Sequence, residues 1–332
     1  MRMRIGVIGT GKIAYTNVEA LLKTNRAEIV AIYNRTLKNG QALAEKYSLD
    51  VPVYSNLTDM LDNNKIDVAL INTPHSLHIK DFTLCANRGI DIIIEKPLGI
   101  NYEECLEMIR LRDKNGIKAT VCQTQRYLPH MRLALKIIEK NKEKLGKVQH
   151  VSDTLNMHYF TNIRSKWFFD KKLAGGGMLL THGAHQIDRV FFLGARNVNR
   201  VLARLEPSKY LGIDGGYQIM ASGNNTSFTV TCCGNPSPLT SNVQIDFEYG
   251  SIKIVLFSNG VEVEGVYLGD EYGYKKVDKL PEEDAYLCQF IAMLDYLENK
   301  PSNAPTLEEA AEVVRMLDKA KQSSELSACV DF

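Results

Sequence analysis

The stretch Ile92-Ile93-Ile94-Glu95-Lys96-Pro97 decides the fold. Three consecutive β-branched residues predict a strand buried on both faces, as in a parallel sheet. The run stops on two charges and a proline. Pro97 cannot extend a sheet ladder, and it biases Lys96 towards an extended conformation. Lys96 therefore belongs just past the carboxyl end of a central strand. Ligands bind at that edge of open α/β sheets. A lysine there is a candidate for proton chemistry.

Upstream, Arg4 to Ile8 reads as a first strand, followed by Gly9-Thr10-Gly11-Lys12-Ile13-Ala14 opening a helix through Lys23. This is G-x-G-x-x-A between a strand and a helix. Gly9 permits the tight turn, Gly11 lets backbone approach a pyrophosphate, and Ala14 lets the helix pack close to the strand. The helix N-terminus offers amide donors to phosphates. Ile29 to Tyr33 reads as the second strand. Where a carboxylate commonly holds the ribose, this chain has Asn34 and then Arg35. That pair tolerates and can bind a 2′-phosphate, so NADP(H) is expected over NAD(H), with NAD(H) still possible.

The alternation continues with a helix over 38–47, a strand at 52–54, a helix over 57–62, a strand over 67–72 and a helix over 79–88. The strand over 91–95, a helix over 102–115 and a strand over 118–123 complete it. Such alternation implies a doubly wound parallel sheet of the Rossmann type. In that topology Gly9, Asn34, Thr73-Pro74, Lys96 and Gln123 reach one edge.

After Gln123 the pattern changes. Arg126-Tyr127-Leu128-Pro129 leads into a helix over about 131–143. Strands are then expected over 148–156, 198–205, 218–221, 227–233, 243–247, 251–257 and 261–268. They suggest one open, mostly antiparallel sheet covered by helices on one face. Two C-terminal helices follow, over 282–299 and 307–322. The domains are expected at 1–124, which binds dinucleotide, and 125–332, which binds substrate and builds the oligomer. The last helices are free to pack back on the first domain. A sheet with one open face predicts a homodimer or homotetramer.

Within the second half lies Gly175-Gly176-Gly177-Met178-Leu179-Leu180-Thr181-His182-Gly183-Ala184-His185-Gln186-Ile187-Asp188. Three glycines imply close backbone approach. The helix that follows is expected to place Thr181, His185 and Asp188 on one face, at i, i+4 and i+7. His182 and His185 lack a further ligand at a recognisable spacing, so no metal site is expected.

Composition narrows the function. Of the residues, 45% are apolar and 24% charged, and the net charge is +1, without a basic block. Nucleic acid is not an expected partner. Seven scattered cysteines suit a reduced, cytoplasmic protein. No apolar run reaches transmembrane length, so no membrane partner is expected.

The whole chain resembles the glucose–fructose oxidoreductase / inositol dehydrogenase (Gfo/Idh/MocA) family. The resemblance rests on Gly9-x-Gly11-x-x-Ala14, Thr73-Pro74 with His78, and Glu95-Lys96-Pro97. Arg126-Tyr127, Trp167 and Asp170 before the glycine triplet, and Gly183-x-His185-x-x-Asp188 complete it. It implies hydride transfer between a nicotinamide and a secondary alcohol or ketone of a sugar or cyclitol, with Lys96 and His185 at the reacting carbon. Gly9, Thr10, Gly11, Lys12, Ile13, Asn34, Arg35, Thr73, Pro74, His78, Glu95 and Lys96 are expected to bind the cofactor. Thr181, His182, Arg126, Tyr127 and Trp167 are expected to bind the substrate. Many catalytic members carry an aspartate where this chain has Thr181, which leaves proton transfer to His185 or Lys96. A non-catalytic nucleotide-binding sensor, or an NAD-dependent glycosidase, is the competing reading that this family allows.

Overall fold

The computed structural model describes residues 2–260, 262–277, 280 and 282–332. Two compact units divide the chain: Met1–Thr124 with Asp284–Glu312, and Gln125–Glu283 with Val313–Phe332. The segment after 283 is thus shared between the units; the sequence reading has 125–332 as the second domain, with its last helices free to pack back on the first.

The first unit begins β1 (Met3–Ile8), α1 (Lys12–Lys23), β2 (Ala27–Tyr33), α2 (Leu37–Lys46), β3 (Val53–Tyr54), α3 (Leu57–Asn63) and β4 (Val68–Ile71). It continues α4 (His78–Ala86), β5 (Asp91–Ile94), α5 (Tyr102–Asn115) and β6 (Ala119–Val121). The sheet order is β3-β2-β1-β4-β5-β6, with every pairing parallel. Chain order reverses beside β1, so the turns after β1 and β4 open at the switch point, where such sheets bind dinucleotides. Ile92, Ile93 and Ile94 are fully buried, as a central strand covered on both faces requires.

The second unit contains α6 (Pro129–Lys140), α7 (Lys142–Leu145), β7 (Val148–Asn156), α8 (Lys171–Ala174) and α9 (Ala184–Phe192). Its strands continue with β8 (Arg200–Pro207), β9 (Asp214–Ser222), β10 (Ser227–Cys233), β11 (Thr240–Phe247), β12 (Ser251–Phe257), β13 (Gly265–Asp270) and β14 (Gly273–Lys276). The chain then returns to the first unit with α10 (Ala285–Leu297). Helix α11 (Leu307–Leu326) begins there and ends in the second unit, before β15 (Val330–Asp331). In the first unit Phe290, Met293, Leu294 and Leu297 of α10 join the core formed by Ile5, Val18, Leu21 and Ile32.

The nine strands run β14-β13-β12-β11-β7-β10-β9-β8-β15, antiparallel except for the parallel pair β7/β10. Burial alternates along them. On β8 and β9, Val201, Ala203, Ile219 and Ala221 point into the core, while the register-paired Leu202 and Met220 are 45% and 58% exposed. Strands β14 and β15 were not expected from sequence: β14 is exposed throughout, and β15 has only 2 residues. Neither carries an alternating pattern. The strand expected over 261–268 begins at Gly265 instead, and Val261 lies outside the described residues. Among the described residues, no helix is long and apolar enough to cross a membrane.

Candidate active site

In the first unit the site is assembled at the carboxyl ends of β1, β2, β4 and β5. Gly9 leaves β1 with φ +85°, a conformation suited to glycine, and a Cβ there would sit 3.0 Å from Thr73 N and from the Asn72 carbonyl carbon. Gly11 is the N-cap of α1 and uses no side chain as a cap, and a Cβ on it would meet nothing within 4 Å. The first amides of α1 are therefore presented through bare backbone, the arrangement that receives a pyrophosphate. Lys12 is exposed beside them, and Ile13 is half-buried.

The end of β2 is fastened to this turn. Asn34 Nδ2 donates to Thr10 Oγ1, while Asn34 Oδ1 accepts from Thr36 N at 3.0 Å. Arg35 stands next to it, exposed to solvent. At the end of β4, Thr73 Oγ1 donates to Asp81 at 2.7 Å. The sequence reading assigned His78 to the cofactor. In the structure this ring is 0% exposed, with Nε2 3.0 Å from the Thr73 carbonyl and Nδ1 2.8 Å from that of Pro97. It ties the β4 turn to the β5 turn, and burial holds its pKa below the ordinary value. Any influence on a nucleotide then runs through the loops it joins. These residues fit a dinucleotide: a glycine turn, a bare helix N-terminus, and polar groups at three successive strand ends.

Lys96 is half-buried at the end of β5, and its main-chain N–H donates to Glu95 Oε2 at 3.2 Å. The Lys96-Pro97 peptide is cis. Glu95 is buried at 8% exposure and accepts from Asn17 Nδ2 at 2.8 Å, which also donates to Asn72 Oδ1 at 2.9 Å. Burial pushes the Glu95 pKa up, opposed first by the Lys96 charge and then by the Asn17 hydrogen bond. Asn17 was not singled out from sequence. It lies on α1, 78 positions from Glu95, with no local signal.

In the second unit the glycine triplet and the histidines that follow form one structure. Gly175 ends α8 with φ +78°. A Cβ on Gly177 would lie 2.3 Å from the Asp214 carbonyl oxygen, so this position must be glycine. The Asp214 carboxylate accepts from Gly177 N at 2.9 Å and from Leu179 N at 2.7 Å, capping the helix that follows. Asp214 is the partner that the triplet approaches, and sequence reading missed it because it enters from β9.

The helix was expected to be α throughout. Instead Leu179–Gly183 is a π-helical turn, and α9 begins at Ala184. The wider turn shifts the phase of everything before Gly183. Thr181 therefore leaves the face that α spacing predicts it to share with His185 and Asp188, which both lie on α9. Thr181 is 2% exposed and Asp188 1%, whereas His182 and His185 are half-buried. Thr181 Oγ1 donates to the Gly177 carbonyl at 2.9 Å, and Tyr159 Oη donates to that hydroxyl at 3.3 Å. The Tyr159 ring also meets His182 edge-on at 5.4 Å. Trp167, half-buried, stacks on Phe168 at 3.8 Å. Tyr127 is 4% exposed.

The sequence reading places Arg126 in a substrate pocket wall. In the structure it is 4% exposed, and its Nε donates to both Asp188 oxygens at 2.9 and 3.1 Å and its Nη2 to Oδ1 at 2.6 Å. The next residue after Asp188, Arg189, pairs with Asp153 at 2.7 Å. Gln186 donates to Asp153 at 2.7 Å and accepts from Tyr217. Together these bonds fix α9, the helix that carries His185, against β7, β9 and the 125–127 turn. Among the described residues no group of three His, Cys, Asp or Glu side chains is placed to hold a metal ion.

Comparison with known proteins agrees with this geometry. The family described as "Oxidoreductase family, NAD-binding Rossmann fold" matches residues 3–123, and "GFO/IDH/MocA C-terminal domain" matches 131–253. A 2,7-anhydro-N-acetylneuraminate hydratase of Mediterraneibacter gnavus is 27% identical over 56% of this chain and 48% of its own length. This chain spans about half the length of the first curated relatives it matches, 48% and 50%. The trans-1,2-dihydrobenzene-1,2-diol dehydrogenase of Sus scrofa is 24% identical over 77% of the chain and 75% of that protein. Among solved structures, the WlbA dehydrogenase of Bordetella pertussis, in complex with NADH and UDP-GlcNAcA, superposes with a TM-score of 0.83. It is 20% identical and covers 100% of this chain and 99% of its own.

Proposed function

Because the chain belongs to the Gfo/Idh/MocA family of NAD-binding oxidoreductases, we propose that it transfers a hydride between a nicotinamide cofactor and a secondary alcohol or ketone of a sugar-like substrate. The observation that carries this reading is the half-buried Lys96 at the end of β5, on the sheet edge that also holds the glycine turn of β1. Gly9, Gly11 and the α1 amides would hold the pyrophosphate, and Thr73 and Pro74 would border the nicotinamide half. When bound, the nicotinamide supplies the hydride acceptor or donor. The Lys96 ammonium stabilises negative charge developing on the substrate oxygen. His185 exchanges the hydroxyl proton, because imidazole titrates close to neutral pH whereas the Thr181 hydroxyl does not. Its buried neighbours, with Arg126 on Asp188 and Arg189 on Asp153, keep α9 fixed while that proton moves.

Steady-state kinetics on a substrate found by screening sugars and cyclitols tests the reading. His185→Ala should lower turnover about 10²- to 10⁴-fold while leaving cofactor affinity nearly unchanged, and Lys96→Met should impair turnover at least as severely. Full turnover in both variants would remove the mechanism.

The exposed Arg35 beside Asn34 favours NADP(H), since a charge-assisted phosphate contact is worth about one to two decades in affinity. Titration with both cofactors should show tighter NADP(H) binding, with the gap narrowed in Arg35→Ala. Equal affinities in the unmutated protein count against it. The apolar residues on the open face, Leu202 and Met220, support a second copy of this chain as partner. Light scattering that finds a monomer at micromolar concentration would exclude that.

A further inference from the structure

Two arginines of the second unit are buried against carboxylates, Arg126 on Asp188 and Arg189 on Asp153. A third is taken partly out of water without one. Arg164 lies in the segment between β7 and α8. Its Nε donates to the Tyr159 carbonyl at 3.2 Å, and its guanidinium lies 4.0 Å from the Tyr159 ring centroid and 5.1 Å from that of Phe168. No Asp or Glu among the described residues comes within ion-pair reach of it. Burial holds its pKa below the ordinary arginine value, and the group acting against that is the Tyr159 phenol rather than an acid. Stacking on aromatic faces offsets part of the desolvation. It leaves the forked N–H edge, the part of a guanidinium that matches a carboxylate, without an acceptor among the described residues.

The position of this fork gives it a purpose. The same Tyr159 that carries the guanidinium on its face sends its hydroxyl to Thr181 and its edge to His182. Arg164 is therefore one ring removed from the π-helical turn that leads into His185. We propose that Arg164 is a specificity-determining residue that receives a carboxylate of the substrate, so that the substrate is a sugar acid rather than a neutral sugar. This rests on the hydride-transfer reading and narrows its substrate class. A single guanidinium balances the one charge of a carboxylate and leaves a phosphate dianion half-neutralised, which favours a carboxylate as the source of the charge. Arg164 takes no part in moving the proton or the hydride. It sets which molecule is held, and in which direction.

The test is calorimetric titration of the full chain, saturated with NADPH or NADP, using matched probes. These are D-glucuronate, D-glucose 6-phosphate and D-glucose, with the corresponding galacto and manno sets. At least one uronate should bind about 10- to 100-fold more tightly than its neutral counterpart, the range for a charge-assisted pair. Arg164→Met should abolish that preference with cofactor affinity unchanged. Arg164→Lys, which keeps the charge but not the fork, should restore only part of it, and it also serves if the methionine variant fails to fold. The proposal is overturned if no uronate is preferred, if the preference survives in Arg164→Met, or if the 6-phosphate outbinds the uronate. Turnover is read separately as nicotinamide absorbance. Uronate selectivity without turnover upholds the carboxylate site and removes the hydride-transfer reading. Turnover of neutral sugars that is indifferent to Arg164 does the opposite.

Discussion

The carboxyl edge of the first unit and the histidine turn of the second both bury carboxylates, but they hold them differently. Glu95 accepts from neutral donors, the Asn17 amide and the Lys96 main-chain N–H, with the Lys96 charge nearby but no guanidinium on it. Asp153 and Asp188 are each gripped by a buried guanidinium. A carboxylate held by neutral donors can take up a proton and remain hydrogen-bonded. One gripped by arginine cannot do so without stranding a buried cation. The first arrangement suits the proposed placing of a charged cofactor beside Lys96. The second suits the proposed mechanism, in which α9 stays fixed while His185 exchanges a proton.

The sharpest way to break this comparison is to remove one partner from each arrangement. Arg189→Met leaves Asp153 facing Gln186 with its charge uncompensated, which should cost about 3–5 kcal/mol of unfolding free energy by denaturant titration. Asn17→Ala leaves Glu95 and Asn72 each short of one neutral donor and should cost about 1–3 kcal/mol. Either carboxyl can be protonated, since burial pushes both pKa values up, but Asp153 loses a charge-assisted pair and Glu95 only a neutral donor. Equal losses in the two variants, or a larger loss for Asn17→Ala, would mean that the two edges are held alike.

The same contrast explains what could be read from the sequence. Features of the first unit that matter are local: three isoleucines before Glu95-Lys96-Pro97, and glycines at 9 and 11 before a helix. Their spacing alone places them at strand ends, and the structure has them there. The histidine turn depends on partners brought from elsewhere. Asp214 reaches Gly177 across 37 positions, and Arg126 reaches Asp188 across 62. No periodicity in 175–188 announces either. The π turn is equally silent, since it adds a residue to the helical repeat without changing the residue types that favour a helix. Arg126 therefore reads as a ligand contact from its neighbours in sequence, while its place in space is that of a buried counter-ion.

The smallest expected effect concerns a carboxylate of the first unit that has no cation gripping it. Asp81 on α4 is 5% exposed and accepts the Thr73 hydroxyl at 2.7 Å. Burial pushes its pKa up to about 6 from an ordinary 3.8, with the Thr73 hydrogen bond acting in the opposite direction. Between those two values the folded chain keeps a proton that the unfolded chain has lost. Where the folded state binds more protons, stability falls as pH rises. The Asp81 contribution should therefore decline from about pH 4 to about pH 6 and then stay level. Asp81→Asn cannot ionise, yet its amide oxygen can still accept from Thr73. Melting temperatures taken across that window should fall less steeply with rising pH in the variant than in the unmutated protein, by a few degrees in total. The two curves should run parallel above pH 7. If they are parallel throughout, Asp81 ionises in the fold as it does in water, and a buried carboxylate without a cation is held in this unit more firmly than its neutral partners suggest.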